Sequence, residues 1–265
     1  MYEKQEERYK NPLKSLALLH GFTGSAENWQ PLLDELALPG MRIIALDMPG
    51  HGRSSAPADV RRYTMERCCE DILAVLRALG VAPGEAALLG YSMGGRVALY
   101  CAFSGFFRAV ILESASPGLA DAAVRAQRRA ADEALAERIE REGVPAFVAY
   151  WERMPLFASQ QALPEEVRNA LRKQRLRNRA DGLANSLRGL GTGVQPALHD
   201  RLVELHMPVL LITGELDTKF CEIARQMAQS LPQAELCVVP GAGHTVHLEQ
   251  PAAFASAVKQ FLQNS

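Results

Sequence analysis

A serine, a histidine and a carboxylate that meet in space can activate an oxygen atom, and this chain carries a candidate for each. Gly90-Tyr91-Ser92-Met93-Gly94-Gly95 follows an apolar run and precedes a helical pattern. Glycines two residues to either side of Ser92 let a strand and a helix approach closely, while the turn between them holds the hydroxyl exposed in a strained conformation. A serine hydroxyl is a poor base or nucleophile until a histidine takes its proton, and the histidine needs an orienting carboxylate. Asp217, in Gly214-Glu215-Leu216-Asp217, follows a later apolar run, and His244, in Gly241-Ala242-Gly243-His244, follows the last one. Both therefore fall at the carboxyl ends of strands, where the sites of open α/β sheets gather. Asp217 can also be read as a helix N-cap. Glu113 and, more weakly, Asp47 compete for the carboxylate, and His247 competes with His244. His51, His199 and His206 read as surface or packing histidines. The segment His20-Gly21-Phe22-Thr23-Gly24 would offer the Phe22 backbone N–H, and with the Met93 N–H this makes an oxyanion hole for charge developing on a substrate oxygen. The turn Asp47-Met48-Pro49-Gly50-His51-Gly52-Arg53-Ser54 reads as structural, packed beneath the elbow.

Positive charge is the second theme. Arg96 lies four residues after Ser92, in the first turn of the elbow helix, where packing alone gives little reason for it. Arg125, Arg128 and Asp132 share a helical spacing, as do Arg168, Arg172 and Arg175. Residues 117–200 hold 12 of the 23 arginines, but 13 Lys+Arg stand there against 11 Asp+Glu, so net charge decides nothing and position must. Guanidinium groups take carboxylates in bidentate fashion. Arg96 with arginines from 117–200 points to a small-molecule substrate bearing several carboxylates.

These residues need a scaffold. Apolar runs without polar alternation at Ser15–Leu19, Arg42–Asp47, Ala86–Gly90, Arg108–Glu113, Val209–Thr213 and Glu235–Val239 predict parallel strands buried on both faces. Helical patterns at Thr64–Leu79, Arg96–Phe103, Ile223–Ser230 and Ala252–Leu262 alternate with them. Alternation of this kind predicts a doubly wound, mostly parallel α/β sheet. No strand is expected between 117 and 200, where Pro145, Pro155, Pro164 and Gly182 punctuate four or so short helices. The expected organisation is a core from 1–116 and 201–265, interrupted by an all-helical lid at 117–200. The 265 residues suffice for one large core, and a net charge of -1 gives no bulk reason to bind nucleic acid or an anionic membrane. Apolar runs are too short for a bilayer, and the charged start MYEKQEERYK lacks the apolar stretch of a signal peptide. Five cysteines with no CxxC pair suggest reduced thiols in a cytoplasm. No metal site is expected, since His244-x-x-His247 alone is weak ligand spacing.

From about residue 15 to its end the chain resembles the α/β-hydrolase superfamily, and within it the 2-succinyl-6-hydroxy-2,4-cyclohexadiene-1-carboxylate synthases. The signatures include HGFTGS at 20–25 and DMPGHGRS at 47–54; the broad ones are GYSMGGRVALY at 90–100 and GAGHTVHLEQP at 241–251, and the narrower ones are ESASPGL at 113–119, RAQRRAADEALA at 125–136, YWERMPLFAS at 150–159, GLANSLRGLGTGVQP at 182–196 and GELDTKF at 214–220. The resemblance implies an α/β-hydrolase fold and a cofactor-free lyase of menaquinone or phylloquinone biosynthesis. Such an enzyme eliminates pyruvate from 2-succinyl-5-enolpyruvyl-6-hydroxy-3-cyclohexene-1-carboxylate, a tricarboxylate. It also implies a triad of Ser92, Asp217 and His244. Carboxylate contacts fall on Arg96, Arg128 and Arg175, with Tyr91 and Trp151 lining the pocket. Arg125 or Arg129 could stand in for Arg128, and the arginine-rich stretch around Arg175 could be shifted. His199 departs from the pattern, which has a bulky aromatic there. Two rivals share the fold: a carboxylesterase or carbon–carbon bond hydrolase, and a ligand receptor that binds without turnover.

Overall fold

The computed structural model describes residues 13–265, so the expectation for the charged N-terminus lies outside the described residues. Six strands form one sheet: β1 (Ser15–Leu19), β2 (Arg42–Leu46), β3 (Ala86–Tyr91), β4 (Ala109–Glu113), β5 (Val209–Gly214) and β6 (Ala234–Val239). Every pair is parallel, and the order is β2-β1-β3-β4-β5-β6. The interior strands β1, β4 and β5 are buried at every position, as their unbroken apolar runs require, whereas the outer strands β2 and β6 are partly exposed. Strand ends fall within one residue of the spans predicted from sequence.

Two apolar layers cover the sheet. On one face lie α1 (Met65–Ala78) and α2 (Met93–Ala102), whose Cys68, Ile72, Leu76, Val97 and Ala98 meet Ala17, Leu88 and Val110. On the other, Trp29, Leu32 and Leu36 of a short helical run at 26–36 join Phe254, Val258 and Phe261 of the C-terminal helix against Leu16, Leu89 and Ile111. The run at 26–36 was not foreseen. Ser25 caps it by accepting from the Glu27 N–H, and Trp29 buries its whole side chain.

Between β4 and β5 the chain forms α3 (Ala122–Trp151), α4 (Glu165–Leu176) and α5 (Ala180–Leu190), with a 3-10 stretch at Pro155–Ala162. The first is 30 residues long but breaks at Gly143, whose φ of 80° only glycine adopts without strain; Pro145 then opens the second half. Ala136, Ile139, Phe147 and Val148 pack on Leu183, Ala184 and Leu187, giving this stretch its own core, and Phe22 and Trp151 border it. Gly182 does not punctuate the chain as expected. It lies inside α5, because that helix runs backbone to backbone against the turn at Gly50: a Cβ on Gly50 would stand 2.7 Å from the Gly182 carbonyl oxygen. The last helices are α6 (Thr218–Ser230) and α7 (Pro251–Asn264). Among the described residues no helix is long and apolar enough to cross a membrane.

Candidate active site

β3 ends at Tyr91 and α2 begins at Met93, so Ser92 alone makes the turn, with φ 51° and ψ -106°. A non-glycine residue there costs on the order of 1–3 kcal/mol and persists only where its surroundings fix it. Here they do. The Ser92 N–H donates to the Glu113 carbonyl at 2.8 Å, and the Arg96 N–H to the Ser92 carbonyl at 3.0 Å. The glycines are obligatory for contact: a Cβ on Gly94 would stand 2.5 Å from the His20 carbonyl oxygen, and one on Gly95 2.6 Å from the Ala115 Cβ.

His244 follows β6 and Asp217 follows β5, both in loops at the carboxyl ends of the parallel strands, as Ser92 is. His244 Nε2 lies 3.0 Å from Ser92 Oγ, and His244 Nδ1 lies 2.6 Å from Asp217 Oδ2. Asp217 also caps α6, its Oδ1 accepting from the Phe220 N–H at 3.3 Å, so the capping and orienting roles share one carboxylate. The competing pair forms a separate unit. Glu113 takes the His247 ring nitrogen at 2.8 and 2.9 Å and the His247 N–H at 3.0 Å. Asp47 is spent on the Ala26 and Arg53 N–H groups. His199 and His206 are exposed, and His51 is buried against His20 and Phe22.

The loop at 20–24 is fixed by His20, whose Nδ1 donates to the Gly21 carbonyl at 2.8 Å while Nε2 accepts the Met48 N–H at 3.1 Å. That pairing demands a neutral ring, and burial accordingly lowers the His20 pKa. Met93 opens α2, where first-turn N–H groups lack helical acceptors. Phe22 and Met93 both border the space in front of Ser92.

That space is a cavity of ≈ 330 Å³ bordered by Ser92, His244, Phe22, Tyr91, Met93, Trp151, Arg96 and Arg128, with Lys219 and Phe220 of α6 at its edge. Among the described residues, none that lines it is Asp or Glu. Arg96 Nη1 donates to the Leu190 carbonyl at 2.7 Å and to Gln195 Oε1 at 3.1 Å, both neutral acceptors. Burial and the nearby Arg128 bring its pKa down to about 10, which leaves it cationic near neutrality. Arg128 pairs with the buried Asp132 at 2.8 Å. Tyr91 donates or accepts with Thr245 Oγ1 at 2.9 Å, and burial raises its phenol pKa, so the ring stays neutral.

Arg175 is elsewhere. It does not border the Ser92 cavity but a smaller one behind it, the two sharing Phe22, Tyr91, Trp151 and Phe157 as a wall. Its guanidinium lies over the Phe157 ring at 5.4 Å, 3.5 Å from Glu152 and 3.2 Å from Gln160 Oε1. Gln160 reaches Thr245 Oγ1 at 2.8 Å, so Arg175 connects to Tyr91 through two neutral side chains. Of the alternatives, Arg125 is turned to the Leu119 and Ala120 carbonyls. Arg172 is held by Glu152 at 2.9 Å. Sequence reasoning missed Lys219 and Thr245, although each is within two residues of a triad candidate. Among the described residues no cluster of three or more His, Cys, Asp or Glu could hold a metal ion.

Residues 14–251 match the family model for the alpha/beta hydrolase fold. A Bacillus subtilis (strain 168) protein assigned to the 2-succinyl-6-hydroxy-2,4-cyclohexadiene-1-carboxylate synthases is 46% identical over 254 residues, 95% of this chain and 91% of that protein. The 2-succinyl-6-hydroxy-2,4-cyclohexadiene-1-carboxylate synthase of Serratia proteamaculans (strain 568) is 37% identical over 94% of this chain and 93% of that protein. The solved structure of MenH from S. aureus superposes with a TM-score of 0.91 at 34% identity, covering 96% of this chain and 95% of that one.

Proposed function

This chain belongs to the α/β-hydrolase fold family and, within it, to the 2-succinyl-6-hydroxy-2,4-cyclohexadiene-1-carboxylate synthases, and from that premise we propose how its residues carry out the reaction. The enzyme is a lyase of menaquinone biosynthesis. It eliminates pyruvate from 2-succinyl-5-enolpyruvyl-6-hydroxy-3-cyclohexene-1-carboxylate and leaves the succinyl cyclohexadiene product. It works on a small molecule in the cytoplasm, with residues 117–200 as the lid over the site.

The observation that carries the residue assignment is a cavity that brings a histidine-bonded serine together with cations and no acidic side chain. His244 draws the proton from Ser92, and Asp217 holds the imidazole in the tautomer this requires. The Ser92 oxygen then takes a ring C–H proton next to a carbonyl. The Phe22 and Met93 N–H groups hold that carbonyl oxygen as it becomes enolate-like. Collapse of the enolate breaks the ring C–O bond, and the leaving enolpyruvate takes up a proton to become pyruvate. No acyl-enzyme forms. Arg96 and Arg128 bind substrate carboxylates, and Tyr91 and Trp151 shape the pocket around the ring. Arg175 acts from the rear, through Gln160, Thr245 and Tyr91, on the wall that the substrate meets.

The test is incubation with the enolpyruvyl substrate while pyruvate is followed. Wild-type protein releases pyruvate in proportion to substrate, and Ser92→Ala loses at least about 10³-fold in rate. Near-normal pyruvate release by Ser92→Ala would remove the serine from the mechanism. Burst hydrolysis of a nitrophenyl ester without pyruvate release would make the protein a hydrolase instead.

A further inference from the structure

The substrate proposed above carries three carboxylates, and the cavity in front of Ser92 has two arginines. The third arginine expected from sequence, Arg175, stands behind the Phe157 wall and already faces Glu152 at 3.5 Å. One carboxylate therefore has no arginine partner in this cavity. The cavity does have a third cation. Lys219 borders it from the first turn of α6, two residues after Asp217 and next to Phe220, whose ring meets that of His244 at 4.7 Å. Its side chain is exposed at the rim, and its Nζ lies 5.8 Å from the Phe220 ring centroid. Among the described residues no acidic side chain pairs with it, which sets it apart from Arg128, held by Asp132, and Arg175, held by Glu152.

We propose that Lys219 binds a substrate carboxylate at the mouth of the cavity and supplies the third positive charge that the tricarboxylate needs; this rests on the functional reading above. An ammonium on a flexible stem is a compact, well-hydrated point charge. It suits a carboxylate that remains near solvent, while the part-buried Arg96 suits one that enters the cavity. With no acidic residue on the lining to oppose them, the three cations also draw the trianion in from solution, an attraction that salt screens.

The experiment is steady-state pyruvate release by wild type, Lys219→Met, Lys219→Glu and Lys219→Arg across a range of salt concentrations. Lys219→Met keeps the aliphatic stem on Phe220, so a role confined to packing beside His244 would leave its KM unmoved. The expected result is a KM raised about three- to tenfold in Lys219→Met and further in Lys219→Glu, a smaller change in kcat, a shallower salt dependence of kcat/KM, and recovery in Lys219→Arg. A KM within twofold of wild type in both Lys219→Met and Lys219→Glu overturns the proposal. So does a fall confined to kcat. Melting curves matching wild type keep folding out of the comparison. If the wild type itself releases no pyruvate from this substrate, the functional reading fails and takes the Lys219 assignment with it. If the wild type turns over and the variants keep its KM, the Lys219 assignment alone fails.

Discussion

Two histidine–carboxylate pairs sit three residues apart in this molecule. Asp217–His244 and Glu113–His247 have the same chemistry, nearly the same nitrogen–oxygen distances of 2.6 and 2.8 Å, and nearly complete burial. They differ in what lies beyond the ring. His244 passes its second nitrogen to Ser92 and borders a cavity. The His247 ring is enclosed by Trp29, Tyr91 and Phe254, and its own N–H also goes to Glu113. Glu113 additionally accepts the Ser92 N–H through its carbonyl, so it joins the strained elbow to the loop that carries His244. The lesson is that a buried histidine–carboxylate pair does not by itself mark a catalytic centre. The inner pair is closed in by aromatic rings, while the outer pair reaches an oxygen and an open space, the setting on which the proposed chemistry depends.

Breaking each pair separates the two roles. Of the two pairs, the outer one should affect rate more: in Asp217→Asn asparagine keeps the helix cap but no longer fixes the His244 tautomer. The rate of pyruvate release should fall on the order of 10²–10⁴-fold, with urea stability changed by less than about 1 kcal/mol. A rate within tenfold of wild type would mean that the carboxylate does not orient His244. Glu113→Gln should behave oppositely. Weakening the buried hydrogen bonds that Glu113 makes to the His247 ring and N–H costs on the order of 1–3 kcal/mol, seen as a lower urea midpoint, with a smaller loss of rate than Asp217→Asn. An unchanged midpoint would show that the inner pair does not hold the frame.

A histidine without a carboxylate sharpens the contrast further. His51 is buried, has among the described residues only the Pro49 carbonyl as a hydrogen-bond partner, at 3.1 Å, and has its pKa lowered to about 3 by burial and then by His20. Unfolded, the same ring titrates near 6.5, so between those values the unfolded chain holds the extra proton. Stability is therefore complete above about pH 6.5 and declines as pH falls toward 3, by up to about 1.4 kcal/mol per pH unit. Urea unfolding at pH 7, 6 and 5 should show that decline, and His51→Gln should flatten it. An identical slope in the variant would assign the acid sensitivity to other groups. The smallest effect is expected from Thr245→Val, which cuts the path from Arg175 through Gln160 to Tyr91. A KM raised a few-fold is the expected result, and an unchanged KM would sever Arg175 from the pocket wall.

Much of the scaffold can be read locally. Unbroken apolar runs mark buried parallel strands, and glycines at fixed offsets mark an elbow, because both signals lie within a few consecutive residues. The choice between Asp217 and Glu113 cannot be read this way, since both end buried strands. It depends on which loop each carboxylate meets across the sheet. The placement of Arg175 is equally non-local. Its helical spacing with Arg168 and Arg172 is visible, but the aromatic wall that separates it from Ser92 is assembled from three separate stretches, at Phe22, at Tyr91 and at Trp151 with Phe157. Lys219 is a local signal: a cation in the first turn of the helix that Asp217 caps lies two residues from that carboxylate and so near the same cavity.

The bare contact between Gly50 and Gly182 acts as a gauge block for the whole pocket. α5 rests there directly on the turn below it, and the same helix carries Ser186, Leu187 and Leu190 of the cavity lining and the carbonyl that anchors Arg96. The headroom above Ser92 is thus calibrated by the thickness of two peptide chains with nothing between them. One methyl group inserted at either glycine would act as a shim, lifting the ceiling and shifting Arg96 without touching any atom that meets substrate.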